Sequence, residues 1–381
     1  MDFSWTKTQN ELYEKVLTLT KEKLNSSSKE REFDYSFNSK TWYLFGELGI
    51  PGLCVPEEYG GMNLDALTTA HVIEALGRGC EDMGMVFSVS AHLFACVMPI
   101  LEHGNELLKQ QMLPKLCSGE WIGANAITEK EAGSDVFALK TKAIRDGDSY
   151  VLTGIKNYVT NGPIADAIVV YASTNPAYGY LGVTAFVIEK NTPGLIIGQP
   201  FSKMGLKSAP ASSIYFEDCR IPESNRLGNE GQGARIFQSS MQWERACLFA
   251  AYIGMMDRQL EQAISYARSR RQFGKAICKN QAISHRIADM KLRLESARLL
   301  LYRACWLFER GENSVLDVSM SKLAISEAAI QSSLDTIQIH GGIGFMSEFG
   351  IERGLRDAIP STIFSGTSEM QRDLIARELG L

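Results

Sequence analysis

Apolar residues recur at intervals of three and four in two long stretches of the chain, and gather into short β-rich runs separated by turns in the stretch between them. Leu12, Val16 and Leu19, and later Val72 and Leu76, keep the helical interval through residues 1–119 with no strand alternation, so the first third is expected to be helical. A change of pattern begins near Gly123. Short β-rich runs from Tyr150 to Thr153, Ala167 to Tyr171, Val183 to Ile188 and Ser213 to Phe216 alternate with Gly, Pro and Asn turns, predicting a small β domain over residues 120–229. From about Gly231 the helical interval returns, and Ile283, Ile287, Met290, Leu294, Ala297 and Leu301 place one apolar stripe on a helix, so residues 230–381 are expected to form a bundle. The fold class is therefore α+β: an N-terminal helical bundle, a middle β-barrel-like domain and a C-terminal helical bundle. The polar tract Asn25-Ser26-Ser27-Ser28-Lys29 is the one loop-like stretch near the front, and without repeats or low-complexity linkers the three parts are expected to pack tightly.

Composition narrows the function. A chain of 381 residues, 45% hydrophobic, can bury more than one core. Net charge is −5, with both signs interspersed and no long block of either, which excludes a nucleic-acid groove or a polybasic membrane patch. The eight cysteines are scattered, with no CxxC pair and only five histidines, so a zinc or iron–sulfur centre fails on spacing and no metal is expected. Most lie in apolar runs such as Leu93-Phe94-Ala95-Cys96-Val97, where a thiol behaves as a small hydrophobe, and this fits a reducing compartment. The start, Met1-Asp2-Phe3-Ser4-Trp5, has neither a basic flank nor an apolar core of a leader, and no uncharged run is read as approaching bilayer length; the cytoplasm is the expected location.

Several local sequences carry chemistry. Ala126-Ile127-Thr128-Glu129-Lys130-Glu131-Ala132-Gly133-Ser134-Asp135 reads as a loop of small residues and free backbone groups, with hydroxyls at Thr128 and Ser134, able to lie against a flat ring; seen alone it would be a capped turn before a strand. With Val55-Pro56-Glu57-Glu58-Tyr59-Gly60-Gly61 before it and Lys156-Asn157-Tyr158-Val159-Thr160-Asn161-Gly162 after it, the chain resembles the acyl-CoA dehydrogenases essentially from end to end. The run from Lys203 to Ser208, followed by Phe216 to Pro222, is similar to the end of that family's β domain and is assigned to structure.

The resemblance implies FAD as cofactor. Ala126, Ile127, Thr128, Gly133 and Ser134 would face it, Tyr158 would present an aromatic face where Trp is commoner, and Thr160 a hydroxyl. Arg270-Arg271-Gln272-Phe273-Gly274-Lys275, with Gln281 eight residues after Phe273, resembles the segment that reaches a neighbouring subunit's FAD, where Arg270 can pair with the pyrophosphate. Gln338-Ile339-His340-Gly341-Gly342-Ile343-Gly344-Phe345 resembles the stretch whose glycines let backbone approach the adenosine-diphosphate part; no βαβ unit surrounds it, so it is not a Rossmann fingerprint. His340 is expected to be packed or hydrogen-bonded rather than catalytic. Thr367 and Glu369 complete the implied cofactor contacts. The family is typically a tetramer, so a homotetramer is expected.

Removing an α proton next to a thioester needs a positioned base and donors for the enolate oxygen. Most of the family carries that carboxylate just before Gly-Thr, in a segment matching Ile363 to Arg372, and here that position is Ser365. One branch, the isovaleryl-CoA dehydrogenases, takes the base from a bundle helix instead, and Met241-Gln242-Trp243-Glu244-Arg245 supplies Glu244 there, inside an apolar run that would desolvate it and raise its pKa. Ser134, Gln242, Arg245, Ser365 and Gly366 are the expected substrate contacts, with the Ser365 N–H on the thioester oxygen by resemblance. Coenzyme-A-using relatives usually have an aspartate at Gln242. The resemblance therefore extends to dehydrogenases of carrier-bound aminoacyl thioesters, a prolyl group leading, with a branched short-chain acyl-CoA dehydrogenase and a catalytically silent flavin scaffold as the alternatives. The electron acceptor would be a transfer flavoprotein or oxygen.

Overall fold

The computed structural model describes residues 4–24 and 36–381; Met1 to Phe3 and the tract Asn25 to Lys29, both read above, lie outside the described residues. Helices α1 (Lys7–Leu24), α2 (Ser39–Glu47), α3 (Ala66–Gly79), α4 (Met83–His92), α5 (Met98–His103) and α6 (Glu106–Ser118) fill the first third. Their starts are written in the sequence: Asn38, Asp65, Asp82 and Asn105 each accept a hydrogen bond from a first-turn amide. A π-helical turn, Leu93–Val97, joins α4 to α5 into one continuous helix.

That helix corrects one expectation. Met83 to Leu101 carries no Asp, Glu, Lys or Arg, and Met83–His103 is 21 residues long with a mean hydropathy of 1.9, enough by length and composition to cross a bilayer. It is a core helix here: 89% of its apolar window is buried in the fold.

The middle of the chain holds β1 (Gly123–Ala126), β2 (Lys142–Asp146), β3 (Ser149–Thr160), β4 (Ala167–Ser173), β5 (Val183–Glu189), β6 (Leu195–Ile197), β7 (Ala211–Pro222) and β8 (Arg226–Leu227). They pair in the order β6-β7-β3-β2-β4-β5-β8, with β1 parallel to β4. The end strands β6 and β8 do not pair with each other, so the sheet is barrel-like without being closed. Strand β4 explains why its sequence reads as a continuous apolar run. Ala167, Val169 and Tyr171 face the large helical core, while Ile168, Val170 and Ala172 face a second core enclosed by the sheet.

Helices α7 (Gly233–Trp243), α8 (Ala250–Ser269), α9 (Gln281–Glu309), α10 (Val315–His340), α11 (Gly342–Phe345), α12 (Arg353–Ala358) and α13 (Ser368–Glu378) form the last third. In the predicted stripe, Met290, Leu294, Ala297 and Leu301 are fully buried, and Ile283 and Ile287 are half-buried at its start. The first and last thirds meet where α3 crosses α8 on two glycines. A Cβ on Gly77 would lie 2.1 Å from the Ala251 carbonyl oxygen, and one on Gly254 2.1 Å from that of Glu74. Gly254→Ala is therefore expected to push the helices apart at a cost of about 1–3 kcal/mol, seen as a lower denaturation midpoint; an unchanged midpoint would mean that the crossing relaxes freely. Gly205 makes a similar approach between the β domain and α12, its Cβ position 2.0 Å from the Arg356 carbonyl oxygen. The structural assignment of Lys203 to Ser208 has this physical basis.

Candidate active site

Glu244 opens a second π-helical turn, Glu244–Leu248, inserted between α7 and α8. Such turns often mark functional positions because the extra residue re-aims side chains. Below it α7 is braced: Trp243 Nε1 and the Ser239 hydroxyl both donate to the Glu102 carboxylate at 2.6 Å, and the Ser240 hydroxyl donates to the Phe94 carbonyl, inside the first π turn, at 3.2 Å. The Glu244 carboxyl is buried.

The Ser365 hydroxyl donates directly to Glu244 Oε1. Ser365 itself sits in the left-handed backbone region, φ 56°, where a residue with a Cβ is held only by surrounding contacts. Arg245 Nε donates to the Ser365 carbonyl at 2.8 Å, and Gln371 Nε2 donates to the carbonyls of Ser365, at 3.4 Å, and Gly366, at 3.1 Å. A side chain on Gly366, φ 87°, would meet Gln371 Nε2 at 2.8 Å. The Ser365 N–H has no acceptor among the described residues. Burial pushes the Glu244 carboxyl above the usual carboxylate range, while the Ser365 hydrogen bond and the charges of Arg245 and Lys322 pull it partly back.

A second group forms at the edge of the sheet. β3 and β7 shift register between Lys156 and Val159, where β3 advances three residues against two on β7. This bulge holds Tyr158 at φ 58° and turns its ring outward, 66% exposed, with Phe201 5.5 Å away. The Asn157 N–H donates to the Thr128 carbonyl at 2.8 Å and Lys156 Nζ to the Ile127 carbonyl at 3.0 Å, so the loop after β1 is tied to the bulge strand. Ala126 and Ile127 bury their side chains and leave only backbone to offer; Thr128 and Thr160 are half-buried, and Gly133 and Ser134 are exposed.

A third group lies at one end of the C-terminal bundle. His340 is buried, stacks on Tyr266 with centroids 4.4 Å apart and shares a 2.8 Å hydrogen bond with the Thr336 carbonyl, and burial lowers its pKa. It is packed, as expected. Tyr266 lies on α8 four residues before Arg270, and His340 lies between Gln338 and Gly342 in sequence. Arg270, Phe273, Gln281, Gln338 and Gly342 are all exposed, Phe273 at 97% with φ 50°. No described carboxylate pairs with Arg270, and no described atom crowds a Cβ placed on Gly133 or Gly342. Exposed aromatic faces, an unpaired guanidinium and open glycine backbone fit a flat cofactor bearing a diphosphate, and FAD is such a group.

Thr367 caps α13, its hydroxyl accepting from the Met370 amide at 3.3 Å, and Glu369 is exposed, with its pKa lowered by its own backbone N–H and the Thr367 hydroxyl. Gln242 is half-buried, two residues before Glu244. Gln371, Lys322 and the Glu129 carboxylate were not foreseen. Lys322 and Glu129 meet partners distant in sequence, whereas Gln371 braces the nearby carbonyls of Ser365 and Gly366.

The arrangement, a buried carboxylate on a bundle helix facing a loop, with a β domain between two helical bundles, defines a flavoprotein dehydrogenase of thioesters. The chain belongs to the acyl-CoA dehydrogenase family, whose N-terminal, middle and C-terminal domain models match residues 6–120, 124–219 and 231–380, and it is an FAD-dependent oxidoreductase. Among its relatives is the L-prolyl-[peptidyl-carrier protein] dehydrogenase of Pseudomonas fluorescens, 54% identical over 382 aligned positions that span all of both chains. Among solved structures, PigA with FAD and proline superposes with a TM-score of 0.98 at 45% identity over all of both chains. The prolyl acyl carrier protein oxidase AnaB gives 0.97 at 46%, over 99% of this chain and all of its own.

Proposed function

We propose that the chain dehydrogenates a prolyl group held as a thioester on a peptidyl carrier protein, with Glu244 as the base, in secondary-metabolite biosynthesis. The observation that carries the reading is the buried Glu244 carboxylate held by Ser365, the residue standing where most of the family has its base. Relatives alike over their whole length act, by name, on prolyl carrier proteins.

When bound, FAD supplies the hydride acceptor. Glu244 removes the α proton onto a carboxylate oxygen, and a ring hydrogen leaves proline as hydride, giving a pyrroline thioester. The free Ser365 N–H is the proposed donor to the thioester oxygen, and Arg245 and Gln371 hold that peptide unit in place through its carbonyl. Ile127, Thr128, Tyr158 and Thr160 would hold the flavin ring. Arg270, Phe273, Gln281, Gln338 and Gly342 would serve the cofactor of a neighbouring copy in a homotetramer, supported by their exposure at one end of the bundle. The domain limits 1–119, 120–229 and 230–381 and a cytoplasmic location belong to the same reading; eight unpaired cysteines support a reducing compartment.

Anaerobic mixing with prolyl-loaded carrier is expected to bleach the flavin, while isovaleryl-CoA leaves it oxidised; the reverse would assign the chain to branched acyl-CoA. Turnover with air or with a transfer flavoprotein then identifies the acceptor. Since Glu244 must be ionised and burial raises its pKa, the bleaching rate is expected to fall on acidification with a midpoint above the ordinary carboxylate range, about 4.3. A rate flat down to that value would remove Glu244 as the base.

A further inference from the structure

Two cations act on the charge of the base, Arg245 and Lys322, and the second has no hydrogen-bond partner among the described residues. Lys322, on α10, is fully buried, and its Nζ has no hydrogen-bond acceptor among the described residues. Its ammonium lies over the Phe249 ring, 5.5 Å from the centroid, and Phe249 follows Glu244 by just over one helical turn. Phe249 in turn packs 5.5 Å from Phe364, the neighbour of Ser365. An unpaired buried ammonium costs several kcal/mol, and such a group persists in a fold only where something offsets it. The charged groups facing it are Arg245 and Glu244 on the π turn, Glu369 on α13 and Glu327 on its own helix. Glu327 is engaged by Arg372 and half-exposed, and Glu369 is exposed, so of these three carboxylates Glu244 alone is buried.

We propose that Lys322 is a positioning residue for the base: its charge, held over the Phe249 ring without a hydrogen bond, keeps Glu244 ionised in a site too dry to do so alone. The absence of a direct bond matters. A lysine bonded to the carboxylate would block the oxygen that must take the proton, whereas a cation at a distance favours the charged form and leaves the oxygen open. Ser365 occupies Oε1 by its hydroxyl, which can rotate away as substrate enters. Burial lowers the pKa of Lys322 itself to about 8, with Arg245 opposing its charge and Glu244 supporting it, so the lysine is charged at neutral pH.

This inference rests on Glu244 being the base, and its test separates the two. Anaerobic flavin reduction by prolyl-loaded carrier is followed against pH in Lys322→Met, Lys322→Gln and Lys322→Arg, with FAD content checked in each. Removing a nearby cation raises a carboxyl pKa by about one unit or more, so the acid limb is expected to move up by that amount in the Met and Gln variants and to stay in place with Arg. A purely packing role would lower FAD content or rate without moving the limb. An unmoved limb in a folded neutral variant overturns the proposal. Should neither neutral variant fold, the parent and the Arg variant decide: an acid limb that stays in place in folded, FAD-loaded Lys322→Arg supports the proposal, and one that moves overturns it. Failure of the underlying reading looks different, because Glu244→Gln would then still reduce its flavin.

Discussion

Glu244→Gln is expected to fold, bind FAD and fail to bleach it: the single-turnover rate with prolyl-loaded carrier should fall by about 100- to 10,000-fold or more, the usual contribution of a positioned base. The amide has the shape of the carboxylate and can still accept from the Ser365 hydroxyl, and the Arg245 contact goes to the Ser365 carbonyl rather than to Glu244, so the loop keeps its anchor. Glu369→Gln is the control. Its carboxylate is exposed on the first turn of α13 and should be dispensable for the proton step. A Glu244→Gln protein that bleaches at the parent rate would overturn the assignment and reopen the case for a base elsewhere, or for a silent scaffold if no thioester is turned over by the parent.

What made this residue legible was a departure rather than a pattern. A glutamate before an arginine on a helix is ordinarily a surface pair, and only the serine at position 365 gave Glu244 a role. The structure adds what neither stretch records, that the two side chains are hydrogen-bonded across 121 positions of sequence. The π turn that aims Glu244 has no sequence marker, because an i→i+5 bond leaves the apolar spacing almost as an α-helix would. The four strands announced by apolar runs were found as β3, β4, β5 and β7. β2, with three charged residues in five and only Ala143 buried, and the short β6 and β8 carry no alternation to read. They are strands because β3, β7 and β5 offer them backbone partners. Lys322 was invisible for a related reason: nothing in Ser321-Lys322-Leu323 says that the helix face it occupies is turned inward.

The second large effect is expected at a residue with no chemical role. Lys156 is fully buried, donating to Glu129 Oε1 at 2.8 Å and to the Ile127 carbonyl at 3.0 Å. The Glu129 carboxylate also accepts from the Lys140 and Thr141 amides and the Thr141 hydroxyl. Burial pushes this carboxyl up, but Lys156 and the other donors outweigh it and hold it below its ordinary pKa; the lysine, with fewer partners, is lowered to about 8 by its own burial. Both are charged at neutral pH, and the pair staples the loop from Ile127 to Lys140 onto the bulged strand that carries Tyr158. Lys156→Met leaves a buried carboxylate without its cation, which typically costs about 3–5 kcal/mol. The expected result is a lower denaturation midpoint together with weakened FAD retention, since the backbone of Ile127 and Thr128 loses its anchor. Because the Glu129 pKa is depressed, its contribution is present above the unfolded carboxylate range and is lost as pH falls through the folded value. The gap between parent and Lys156→Met should therefore narrow on acidification. A variant with the parent's midpoint and FAD content at neutral pH would mean that the loop is held by its neutral hydrogen bonds alone, and that the ion pair is incidental to the flavin site.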